Sequence, residues 1–126
     1  MDNKGIHITA LDEVNVYGLN YIPFTSDAFL ALPSEVLGTE YVVLTYKNSN
    51  VVNGVEFGIA GCENNTTVTI TPSVTTGSRT AGVPYNVILN YGDSYELRNT
   101  TGTGDLTGTI ITSDKPIGVM GASQCA

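Results

Sequence analysis

Acyl transfer by a hydroxyl or thiol needs a base to take its proton, and this sequence offers one histidine, His7. His7 alternates with Ile6 and Ile8, so a strand would carry it on the face opposite the apolar stripe. The Gly-x-Ser-x-Gly turn that presents a hydrolase nucleophile is missing. A satisfied or solvent-facing histidine is expected, with no catalytic residue. Carboxylates pair locally as Asp12-Glu13 and as Asp93 with Glu96, and the first pair falls in a turn where polar residues belong anyway. Gly102-Thr103-Gly104-Asp105 brings one carboxylate to a loop, too few for a calcium cage. The glycines from Gly102 to Gly108 lead into a strand pattern, whereas a phosphate cradle needs a helix N-terminus. No metal or cofactor is expected. Of Lys4, Lys47 and Lys115, Lys47 best suits a Lys–Asn isopeptide crosslink, but a solvated strand end is the stronger reading.

The cysteines, Cys62 and Cys125, have neither CxxC nor metal spacing. In an exported protein they are expected to pair, closing a loop of about 64 residues worth roughly 4 kcal/mol in the chain-entropy model. The alternative is two separate buried thiols. Three overlapping or nearby glycosylation sequons begin at Asn64, Asn65 and Asn99, which is unremarkable in a chain this rich in Asn and Thr. Aromatic side chains give the better lead. Tyr17, Tyr21, Phe24 and Phe29 cluster in sequence beside Asn20 and Asp27. Ring faces next to polar groups can hold a sugar or a protein loop, so Tyr17, Asn20, Tyr21, Phe24 and Asp27 form the candidate ligand site. The plainer alternative is that Tyr17 and Phe29 cap the core at a sheet edge.

The elements that must position these residues read as strands. Val55, Phe57 and Ile59 share one face, Val68 and Ile70 alternate with threonines, and Tyr85, Val87, Leu89 and Tyr91 line another stripe. Tyr95 and Leu97 alternate with Glu96 and Arg98. Glu40 to Tyr46 is apolar on both faces and predicts a central strand. Asn53-Gly54, Glu63-Asn64-Asn65, Thr76-Gly77-Ser78, Tyr91-Gly92-Asp93 and Thr101 to Gly104 mark turns. The stretch from Ser26 predicts a strand, followed by one helical turn over Pro33–Gly38. About ten short strands and that turn give an all-β fold, an antiparallel β-sandwich rather than a closed barrel.

One pattern occurs twice. Gly5-Ile6-His7-Ile8-Thr9 and Val14-Asn15-Val16-Tyr17-Gly18 return 103 residues later as Gly108 to Thr112 and Ile117 to Gly121. Each copy predicts a hairpin, and the repetition implies either internal pseudo-symmetry or the start of a second module at residues 108–121. Lys115-Pro116 replaces Asp12-Glu13 at the matching turn. The 126 residues suit one domain, and a formal net charge of -7 disfavours nucleic acid and anionic membranes as partners. No apolar run approaches the roughly 20 residues that span a bilayer. No signal peptide is read ahead of the first strand, and residues 1–126 are expected to be one domain of a longer multidomain surface protein, with Met1 added in cloning.

The ordered set Val16-Tyr17-Gly18-Leu19-Asn20, Asp27 to Pro33, Leu37 to Tyr41 and Thr66 to Pro72 resembles the IgGFc-binding protein N-terminal domain family. Asp105 to Gly108 and Lys115 to Val119 continue the likeness, which covers almost the whole chain. The resemblance implies a secreted or cell-surface domain, with immunoglobulin Fc or mucin among its candidate ligands. The expected function is a non-catalytic extracellular binding or adhesion module for a protein or glycan. The alternative is a structural spacer or tandem repeat that presents neighbouring domains of the parent chain.

Overall fold

The computed structural model describes residues 4–23, 25–46, 54–100 and 104–123. Its nine strands are β1 (Val16–Ile22), β2 (Thr25–Ala31), β3 (Glu40–Val42), β4 (Val55–Gly61), β5 (Thr66–Thr71), β6 (Tyr85–Leu89), β7 (Ser94–Asn99), β8 (Ile110–Ser113) and β9 (Ile117–Ser123). One 3-10 turn, Ser34–Val36, follows Pro33 as the sequence predicts. All strand pairs are antiparallel. They form a β1-β2 hairpin, a four-stranded sheet in the order β3-β8-β5-β6 and a three-stranded sheet in the order β7-β4-β9.

Period-two patterning places the core between the two larger sheets. Val55, Phe57 and Ile59 from β4 meet Val68 and Ile70 from β5, Val87 and Leu89 from β6, Ile111 from β8 and Ile117 from β9. Leu106 and Val43 fill the core from the connections. At the margin Tyr85 Oη and Tyr95 Oη lie 2.8 Å apart, joining β6 of one sheet to β7 of the other. The Arg79 guanidinium lies 3.8 Å from the centre of the Tyr85 ring. Burial, then the Tyr95 hydroxyl, push the Tyr85 phenol well above its ordinary pKa, so the contact persists through the physiological range.

From β3 onward each successive strand changes sheet, except β5 to β6. Two expectations fail for this reason. Glu40 to Tyr46 is not a central strand: β3 is an edge strand, and its continuation crosses toward the other sheet. The Val43 N–H donates to Thr109 O, and Tyr46 exchanges hydrogen bonds with the Ser123 hydroxyl beside β9. Gly121 leaves room for this passage, since a Cβ there would strike Leu44 O. One face of the segment carries the buried Val43 and Thr45, and the other leaves Val42, Leu44 and Tyr46 on the surface at 71%, 77% and 65% exposure. Likewise residues 108–121 are an arch rather than a hairpin. β8 pairs with β3 and β5, whereas β9 pairs with β4. Pro116 donates no amide hydrogen bond at the corner, where the Ser113 hydroxyl donates to Lys115 O and the Thr67 N–H donates to Asp114 Oδ1.

Buried threonines satisfy backbone groups in the connections and at strand margins. The Thr66 hydroxyl donates to Glu63 O, the Thr76 hydroxyl donates to Arg98 O, and Thr45 Oγ1 accepts from Leu106 N–H. Thr109 Oγ1 accepts from the Ser73 N–H. Tyr41 spans a further junction by accepting from Gly38 N–H and donating to Ile117 O. Ile111 is fully buried and Ile110, its outward neighbour, is half exposed. Ile111→Ala is expected to cost about 2–5 kcal/mol by chemical denaturation, and Ile110→Ala less than about 0.5 kcal/mol.

Candidate functional site

The β1-β2 hairpin gathers most of the predicted ligand residues onto one element. Tyr17 faces Leu30, Leu19 faces Ala28, Asn20 faces Asp27 and Tyr21 faces Ser26 across the ladder. Because faces alternate, Tyr17, Leu19, Tyr21, Ala28 and Leu30 form one surface, and Asn20 and Asp27 sit together on the other. The four candidates within the described residues divide between the two faces. Tyr17 and Tyr21 share a face, Asn20 and Asp27 share the opposite face, and Phe24 lies outside the described residues. Phe29 is 43% exposed and packs beside Gly18, where a Cβ would strike its ring.

The hairpin forms its own sheet and pairs with none of the sandwich strands. Tyr17, Leu19 and Tyr21 are 68%, 70% and 79% exposed, and Leu30 is 51% exposed. A contiguous apolar face of this kind on a two-stranded ribbon gains little by itself, since isolated hairpins are marginal in water. Leu19 and Leu30 are the members that sequence reasoning passed over. Their signal is the alternation with Tyr17 and Tyr21, which requires the register to be known.

The other expectations resolve individually. His7 stands edge-on to Tyr91, with ring centroids 5.3 Å apart, on a segment outside the strands. Asp93 Oδ2 accepts from Asn90 N–H and Asp105 Oδ1 accepts from Thr107 N–H, so both carboxylates shape turns. Among the described residues no group of three or more His, Cys, Asp or Glu side chains could hold a metal ion. Lys115 Nζ donates to Asn64 O, and Lys47 lies outside the described residues. Two sequon asparagines serve the fold: Asn64 Oδ1 accepts from Tyr91 N–H, and Asn99 is buried with Nδ2 donating to Gly104 O.

One charged cluster was not anticipated. On the outer face of the three-stranded sheet, Glu56 faces Arg98 on β7, and Glu96 lies diagonally adjacent, opposite Gly58. Desolvation first, then the hydrogen bond and repulsion from Glu96, raise the Glu56 pKa above the ordinary glutamate value. Arg98 Nε, 3.7 Å from Glu56 Oε2, opposes this without reversing it. A raised carboxyl pKa means that the folded state holds the proton more tightly than the unfolded state. That stability is present below the unfolded pKa and lost as pH rises through the folded one. Glu96→Gln is therefore expected to raise Tm by about 1–3 °C at pH 7, the gain shrinking as pH falls through the carboxylate range in a melting series.

The family model described as IgGFc binding protein matches residues 27–126. The human IgGFc-binding protein is 33% identical over 119 residues, covering 90% of this chain and 2% of the human protein. The chain thus spans a small fraction of that relative's length. No solved structure matches the chain. With four-fifths of its length matched by the family model, the chain belongs to the IgGFc-binding protein family.

Proposed function

We propose that this domain is a non-catalytic recognition module of a secreted or cell-surface protein, and that it binds a protein ligand through the β1-β2 hairpin. The observation that carries this reading is the face of Tyr17, Leu19, Tyr21 and Leu30, exposed on a ribbon held apart from the sandwich ladders. Two tyrosines supply large contact area with few rotors, and the flanking leucines exclude water around them. The ligand class proposed is immunoglobulin Fc, in keeping with the family and the name of the human relative. Mucin is the second candidate, since a glycan also stacks on tyrosine rings. Net charge of -7 supports a partner other than nucleic acid or an anionic membrane. Among the described residues no helix is long and apolar enough to cross a membrane.

The spacer reading draws on a different observation, the echo between residues 5–18 and 108–121. A domain can do both: a stacked module still presents its outward face.

The cysteines bear on how such a module is held together. Gly61 lies opposite Ile117 and Val55 lies opposite Ser123, so Cys62 sits at the end of β4 away from Ser123. Seven residues of strand separate these ends by about 23 Å. Cys62 Sγ lies 3.9 Å from Ala60 O, and Cys125 lies outside the described residues. The pairing expected of an exported protein predicts no modified cysteine in the intact mass after thiol alkylation without reductant; two modified cysteines per monomer would contradict it.

The binding test is calorimetric titration of immunoglobulin Fc into the wild-type domain and a Tyr17→Ala, Tyr21→Ala variant. Because both rings are exposed, the variant is expected to keep its Tm while Kd weakens at least about tenfold. Equal affinity in the folded variant would remove the hairpin from the site.

A further inference from the structure

The two copies of the repeated pattern have opposite fates. In the second, Ile111 and Ile117 flank the β8-β9 corner, one in each sheet, and both are 0% exposed. Gly5, Ile8, Thr9, Val16 and Gly18 repeat Gly108, Ile111, Thr112, Val119 and Gly121, and Val14 stands at the place of Ile117. Yet Ile8 is 56% exposed and Val14 60%, with Ile6 at 89% beside them. Residues 5–15 form no strand ladder, and they touch the sandwich at the β6-β7 turn, where the Gly5 N–H donates to Gly92 O and His7 meets Tyr91.

An arch coded by alternating apolar residues is stable only when those residues enter a core. In this sandwich that place is filled. β8 lies between β3 and β5, β9 pairs with β4, and the core polar groups among the described residues are all satisfied. The family model match begins at Asp27, while the likeness to the human relative, over 90% of the chain, extends ahead of it. We propose that residues 5–18 are the closing arch of a second sandwich of this same design, carried N-terminal to this one in the parent chain. Ile8 enters that module's core where Ile111 sits here, and Val14 enters where Ile117 sits.

Two consequences follow from the register. Tyr17 takes the place of Met120, which is 44% exposed on the outer face, so the tyrosine face described above stays outward. The two proposals therefore stand separately. Strand β1 would then run from one module toward the next without a flexible linker, coupling successive sandwiches as in a solenoid rather than as beads on a string.

The experiment is backbone hydrogen exchange on this chain alone and on the chain with the roughly 100 residues encoded ahead of it, a length set by the repeat period. Amides of residues 8–9 and 14–18 are expected to exchange at least about 100-fold more slowly in the longer chain, because they join a folded core. In the longer chain, Ile8→Asp with Val14→Asp is expected to erase protection in the preceding module while this sandwich keeps its own. In the short chain the same pair is expected to leave Tm unchanged, whereas Ile111→Asp with Ile117→Asp unfolds it. Equal exchange in the two chains would overturn the proposal. So would loss of stability in the short chain on changing Ile8 and Val14, or upstream sequence without a sandwich pattern.

Discussion

A chain that changes sheet at almost every strand must satisfy backbone groups at each crossing, where no ladder reaches them. In this domain the threonine and asparagine side chains do that work. Thr45, Thr66, Thr76 and Thr109 are buried; the Thr45 and Thr66 hydroxyls bond backbone groups of the β7-β8 and β4-β5 crossings, Thr109 accepts from Ser73 N–H just past β5, and Thr76 donates to Arg98 O on β7. Leaving any one of those groups bare would cost about 1–3 kcal/mol, comparable to a core methyl or two. At one end of the sandwich, Asn64 and Asn90 lend their side-chain oxygens to Tyr91 N–H and Asn65 N–H, which ties the β4-β5 turn to the β6-β7 turn. The Thr/Asn-rich composition is thus a structural requirement of the topology.

With the crossings secured, the two larger sheets hold a closed core that does not call on the hairpin. That independence leaves the β1-β2 ribbon free to display Tyr17, Leu19 and Tyr21 to solvent. Apolar surface of this kind has a free-energy cost when exposed, and the acidic net charge offsets it by keeping copies apart in solution. The Glu56–Glu96 pair on the three-stranded sheet adds a local cost of its own that appears at neutral pH. Both features lie outside the core, where destabilising chemistry is tolerated.

The strand faces were legible in the residues because a half-buried strand writes its burial with period two. Val55, Phe57, Ile59, Val68, Ile70, Val87 and Leu89 all lie in the core as their alternation predicts. Pairing was not legible. The arch at residues 108–121 and a hairpin share the same apolar-turn-apolar text, and only Pro116 hints that the corner forgoes a ladder. The edge position of β3 was likewise hidden, because the surface residues Val42, Leu44 and Tyr46 read in sequence like a second buried face. At the hairpin, tyrosines and polar partners were found together in sequence, but the two-residue period divides them between faces. Only the register between β1 and β2 shows which side Asn20 and Asp27 occupy.

The most direct test of recognition through the hairpin is a heteronuclear NMR titration of the labelled domain with immunoglobulin Fc. Shift changes and line broadening confined to residues 16–23 and 25–31 are the predicted result. Perturbation centred on the outer face of the four-stranded sheet, around Thr69, Asn86 and Thr112, with the hairpin signals unmoved, would contradict it.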